Sequence, residues 1–76
     1  MLELTETVTG HIAVVQEQRF RMIDDEGHGL LLTLSAKAGV SSEDLCRFQE
    51  EHARVQVEYS GQPNLADGVA RSVKKL

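Results

Sequence analysis

Apolar and polar residues alternate most cleanly between Arg19 and Leu34, where two strand-like runs flank Asp24-Asp25-Glu26-Gly27-His28-Gly29. The hexapeptide is rich in turn formers, so the stretch predicts a β-hairpin. With Asp24 opposite Leu30 and a five-residue loop between them, Met22 faces Leu32 and Phe20 faces Leu34. Side chains alternate along a strand, so these four share one face, which reads as core. The opposite face carries Arg19, Arg21, Ile23, Leu31 and Thr33: two guanidinium groups set among aliphatic surface.

Upstream, residues 1–6 are a polar lead-in, and Thr7–Val15 is β-branched and strand-like. Strict alternation puts Val8, Gly10, Ile12 and Val14 on one side and His11, Ala13 and Val15 on the other, with Gly10 marking a bulge or sharp bend. Gln16-Glu17-Gln18 connects this run to the hairpin. Downstream, Ser35–Gly39 is a small-residue linker before a helix. Ser41 and Asp44 are spaced as a capping box, and Val40 and Leu45 as a hydrophobic staple. Leu45, Phe48 and His52 fall on one side of the helix, with Glu43–Arg47 and Arg47–Glu51 spaced for exposed ion pairs.

Arg54–Tyr59 alternates again, with Val55, Val57 and Tyr59 inward. A Ser-Gly-Gln-Pro-Asn turn follows, and Gly68–Lys74 forms the last strand with Val69 and Val73 on one side. Arg71 breaks that alternation, and either a bulge turns it outward or it sits at a rim. The predicted order is strand, strand, strand, helix, strand, strand. The fold class is all-β with one helix, a single five-stranded barrel over residues 1–76.

That layout resembles OB-fold proteins, whose helix sits between the third and fourth strands. An SH3-like barrel is the alternative and usually lacks a helix of this length there. A local likeness is sharper: Val55-x-Val57-x-Tyr59-x-Gly61-x-Pro63-x-Leu65-x-x-Gly68-Val69-Ala70 is similar to the fourth-to-fifth-strand segment of the periplasmic haem-chaperone barrel of cytochrome c maturation. That family attaches haem through a histidine in a C-terminal His-x-x-x-Tyr stretch and carries an N-terminal membrane anchor. Here no histidine follows His52, and the first ten residues resemble no anchor. The resemblance implies the barrel; no haem and no other cofactor is expected.

Composition narrows the function classes. The net charge of −4 is uneven: residues 1–26 hold six acids and two arginines, residues 54–76 four bases and two acids. Overall acidity opposes generic phosphate-backbone binding, which needs clustered Lys and Arg. Cys46 is the one cysteine, so no internal disulfide forms, consistent with a reducing compartment. The N-terminal residues do not read as a secretion signal, and no run of eighteen apolar residues occurs. The expectation is a soluble cytoplasmic protein without membrane contact.

The candidate site is the outer hairpin face, Arg19, Arg21, Ile23, Leu31 and Thr33, read foremost as a surface for a partner protein or for self-association. The alternative is weak binding of single-stranded RNA or DNA, with Arg19, Arg21, Arg71, Lys74 and Lys75 on phosphates. Such binding usually stacks bases on aromatic rings, and the three present, Phe20, Phe48 and Tyr59, are all turned inward by the pattern.

Asp24, Asp25, Glu26 and His28 lack the alternating acids and closing glutamate of a calcium loop and read as an exposed acidic turn. His11, Cys46 and His52 lack the paired spacing of a zinc site, so no metal is expected. Cys46 is assigned to the flank of the helix–barrel contact and His52 to the helix C-terminus. No catalytic motif is present, and the expected protein is not an enzyme.

Overall fold

The computed structural model describes residues 5–64 and 68–76. Strands β1 (Glu6–Gln16), β2 (Arg19–Asp24) and β3 (Gly29–Leu34) precede helix α1 (Ser42–Glu50), and β4 (Arg54–Ser60) and β5 (Val69–Lys75) follow. The strands close into a barrel in the order β1-β2-β3-β5-β4, the five-stranded barrel expected from the pattern. All strand pairings are antiparallel except β3 with β5. Residues 1–4 of the polar lead-in, and Leu65 of the haem-chaperone-like segment, lie outside the described residues.

The hairpin register differs from expectation by two residues. Phe20 opposes Leu32 and Met22 opposes Leu30, and the five-residue loop is Asp24–His28. Asp24 itself closes the turn: its backbone N–H donates to His28 O at 2.9 Å, and its Oδ1 accepts the N–H groups of Glu26 and His28. An even shift preserves side-chain parity, so Phe20, Met22, Leu30, Leu32 and Leu34 all stay inside.

Two bulges change the faces that strict alternation assigned. In β1, Ile12 opposes Met22 and Val14 opposes Arg21, so Ala13 is the extra residue. Ile12 is buried, Val14 is turned out to solvent, and Val15 packs against the core. The bulge is at Ala13, three residues beyond Gly10. What Gly10 provides is space. A Cβ there would lie 2.0 Å from the Ile23 carbonyl oxygen, so only glycine lets β1 and β2 approach this closely.

In β5, Tyr59 opposes Ala70 while Glu58 opposes Ser72, which leaves Arg71 as the extra residue and turns it outward. Ala70 and Val73 therefore share the interior, and Val69 is only half-buried.

Helix α1 begins with the expected capping box: Asp44 N–H donates to Ser41 Oγ at 3.2 Å, and Ser41 N–H donates to Asp44 Oδ2 at 2.9 Å. The helix packs against β1 and buries Leu45 in the barrel core, with Val40 and Phe48 packed around it. Gln49 Nε2 donates to Ala13 O at 2.7 Å and so ties α1 to the β1 bulge.

His52 lies beyond the helix. Glu51 is the C-cap, and His52 follows it at φ +53°, the left-handed position usually held by glycine. The bonds His52 N–H to Gln49 O and Ala53 N–H to Phe48 O complete a Schellman closure. His52 is exposed rather than aligned with Leu45 and Phe48. Arg47 pairs with Asp44 at 3.3 Å instead of with Glu43 or Glu51, because Glu51 ends the helix and reaches Lys75 at 2.7 Å.

Candidate interaction surface

The outer face of β2 and β3 is built as the alternation required. Arg19 opposes Thr33, Arg21 opposes Leu31, and Ile23 opposes Gly29. Both arginines are exposed, and Ile23, Leu31 and Thr33 are half-buried. The Ala13 bulge extends this face onto β1, where Val14 sits opposite Arg21 and is 46% exposed. Val14, Arg21 and Leu31 thus lie side by side across three strands. Together with Gln16, Arg19 and Phe20 they line an open cleft of about 230 Å³, in which Phe20, only 1% exposed, forms the floor.

Arg21 does not stand straight out. A Cβ on Gly29 would lie 3.1 Å from both Nε and Nη2 of Arg21, so the guanidinium rests along the bare backbone of Gly29. This draws the head group toward the turn and leaves its aliphatic stem between Val14 and Leu31. The result is an apolar strip across the three strands, with Arg19 on one side of it and the Arg21 head on the other.

Charge is distributed unevenly over the rest of the surface. Arg54 pairs with Asp25 through two contacts, Arg47 pairs with Asp44, Lys75 pairs with Glu51, and Arg71 Nε donates to Ser60 Oγ at 3.1 Å. Among the described residues, neither Arg19 nor Arg21 makes an ion pair or a side-chain hydrogen bond.

Of the five bases of the nucleic-acid reading, Lys74 and Lys75 are not brought to Arg19 and Arg21. Lys74 opposes Gln56, whose other neighbour is Thr9, whereas Arg19 opposes Gln16. Thr9 and Gln16 are separated by about 23 Å of strand at roughly 3.3 Å per residue. Lys75, level with Gly10, is one residue nearer but is held by Glu51. The aromatic rings are turned toward the core: Phe20 and Tyr59 are buried, and Phe48 is half-buried against it.

The remaining sequence candidates have structural employment. Asp25 ties the turn to the barrel: its N–H donates to Thr9 O, Thr9 Oγ1 donates to its Oδ2 at 3.0 Å, and Arg54 grips both carboxylate oxygens. The Arg54 guanidinium and the Thr9 hydroxyl hold the Asp25 carboxyl below the usual carboxylate range. The backbone N–H of His28 does the same for Asp24. His11, Cys46 and His52 border one groove between β1 and α1, with Cys46 exposed. Among the described residues no group of three His, Cys, Asp or Glu is placed to hold a metal ion.

Sequence reasoning missed Val14 and Gln16 as members of the outer face. The available signal was the run Ile12-Ala13-Val14-Val15, four consecutive apolar residues that a two-residue period cannot sort into faces.

Comparison with protein-family models, with curated proteins and with solved structures finds no match for this chain. Its class is defined by the coordinates: a closed five-stranded β-barrel with one helix. No helix among the described residues is long and apolar enough to cross a membrane.

Proposed function

We propose that this chain is a small non-catalytic binding module that takes a protein partner on the outer β1–β2–β3 face. One observation carries the reading: exposed Val14 and half-buried Leu31 stand on either side of Arg21, which with Arg19 makes no ion pair or side-chain hydrogen bond among the described residues. Arginine is enriched at protein interfaces, and the aliphatic surface beside it is there to be buried. A barrel interior filled by its own side chains, with open clefts outside it among the described residues, supports binding rather than catalysis. Binding of single-stranded nucleic acid has less support, because the outer face presents no ring for a base to stack on.

The test is a photo-crosslinking amino acid at position 31, with position 58 on β4 as control, followed by identification of the adducts. A protein adduct at 31 that is absent at 58, and is lost in the Arg21→Glu background, is the expected result. Identical adduct patterns at the two positions overturn the reading. Sedimentation of the free chain separates a second copy from a different protein as the occupant.

A further inference from the structure

We infer that the occupant of this face is an extended segment with the pattern acid-x-aliphatic-x-acid. The inference rests on the protein-binding reading above and adds the chemistry of the partner. The apolar strip formed by Val14, the Arg21 stem and Leu31 has room for one aliphatic side chain above Phe20. The guanidinium groups flank it: Arg19 beside Gln16 and Thr33, and Arg21 with its head laid over Gly29.

Arg19 and Arg21 start about 7 Å apart along β2 at roughly 3.3 Å per residue, and the lean of Arg21 toward Gly29 widens the gap between their heads. In an extended segment, side chains i and i+4 share one face and are about 13 Å apart, with i+2 midway between them. Carboxylates at the two ends and an aliphatic residue in the middle therefore match guanidinium, strip and guanidinium in order. The chain's other arginines already have partners, which leaves the charge of Arg19 and Arg21 uncompensated at this face among the described residues.

A polyanion with evenly spaced phosphates satisfies the two arginines and leaves the strip uncovered. A purely apolar partner covers the strip and strands two cations. Only the mixed pattern satisfies both, since Arg–carboxylate bonds and aliphatic burial are then made together.

The test is an NMR titration of the amide-labelled chain with four probes at low salt. They are the acetylated and amidated peptide Glu-Ser-Leu-Ser-Glu, its Gln-Ser-Leu-Ser-Gln and Glu-Ser-Ser-Ser-Glu analogues, and a nine-residue oligothymidylate. The expected result is saturable shifts at Val14, Arg19, Arg21 and Leu31 with the first peptide only. Arg21→Gln is expected to weaken that binding about tenfold, the loss of one charge-assisted contact.

Equal binding of the Glu-Ser-Ser-Ser-Glu analogue overturns the role of the strip, and equal binding of the Gln analogue overturns the role of the charges. Tighter binding of the oligothymidylate at the same amides assigns the face to nucleic acid. A peptide that shifts nothing, combined with a specific protein adduct at position 31, overturns this inference and leaves the binding-module reading standing. No adduct and no shift overturns both.

Discussion

Asn64 stands in for a strand beside Leu31. Its backbone N–H donates to Leu31 O at 2.9 Å, and its side-chain Oδ1 accepts the Leu31 N–H at 2.9 Å. One residue thus supplies both halves of a strand-like pair. The left-handed backbone of Asn64, φ +71°, lets the amide fold back onto β3, and Nδ2 also reaches Gly29 O at 3.5 Å. The pairing matters because β5 meets β3 only at Thr33–Val69 and Leu34–Ala70. Asn64 extends that seam toward the start of β3 and fixes the strand that carries Leu31.

Asn64→Ala is therefore expected to cost about 1–2 kcal/mol in denaturant unfolding, from a lost edge hydrogen bond and a strained left-handed residue. Hydrogen exchange at the Leu31 amide should accelerate more than at Leu32. Asn64→Gly keeps the backbone conformation and should recover part of the stability but none of the Leu31 protection. Unchanged Leu31 exchange in both variants would remove Asn64 from this role.

Gly10→Ala tests the close approach of β1 and β2. The added methyl meets the Ile23 backbone, which no side-chain rotation can relieve, so a loss of about 3 kcal/mol or more is expected. Thermal denaturation reads this directly. A Tm within a few degrees of the parent would show that the strands separate there at little cost.

His52→Gly is expected to stabilise the chain by about 0.5–1 kcal/mol, because a non-glycine residue at φ +53° is strained while the Schellman bonds are made by the backbone. Glu17, at φ +56° in the β1–β2 turn, should respond in the same direction. Urea unfolding of each variant is the measurement, and a loss of stability at either position contradicts the strain argument.

Acid should weaken the fold through its depressed carboxyls. Asp24, Asp25 and Asp44 are all lowered from 3.8, by the His28 backbone, by Arg54 and by the Ser41 backbone respectively. A carboxyl lowered in the folded state contributes fully above its unfolded value. That contribution is lost as pH falls from about 3.8 through the folded values. Stability measured from pH 6 to pH 2.5 should decline in that window, and Asp25→Asn should make the decline shallower. An equal slope in the variant would show that the Asp25–Arg54 pair is not part of the acid response.

The chain's local signals are legible where one residue type has one use. Ser41 with Asp44 announces the helix start, and the alternation of Phe20, Met22, Leu30, Leu32 and Leu34 sorts core from surface even though the register is two residues away from expectation. Bulges are different. Ala13 carries no local mark and Arg71 only a break in alternation that fits a bulge or a rim, because an extra residue is accommodated by strand curvature and by what packs alongside, such as Gln49 on Ala13 O. The outer face was legible as far as β2 and β3 supply it. Its third strand was not, since Val14 reaches it only through the bulge. His52 was placed near the helix end correctly but not in its conformation, which the preceding turn imposes.

The two-pair junction of β3 with β5 also sets how this barrel comes apart and together. It is the shortest seam of a ring otherwise closed by the antiparallel β1–β2, β2–β3, β1–β4 and β4–β5 ladders, so it returns few bonds for the closure it requires. The long antiparallel ladders can zip up beforehand, with the parallel junction shutting last. The same junction is then the place where the cylinder breathes first, opening like a clasp into one five-stranded sheet that β1 and β4 still hold together.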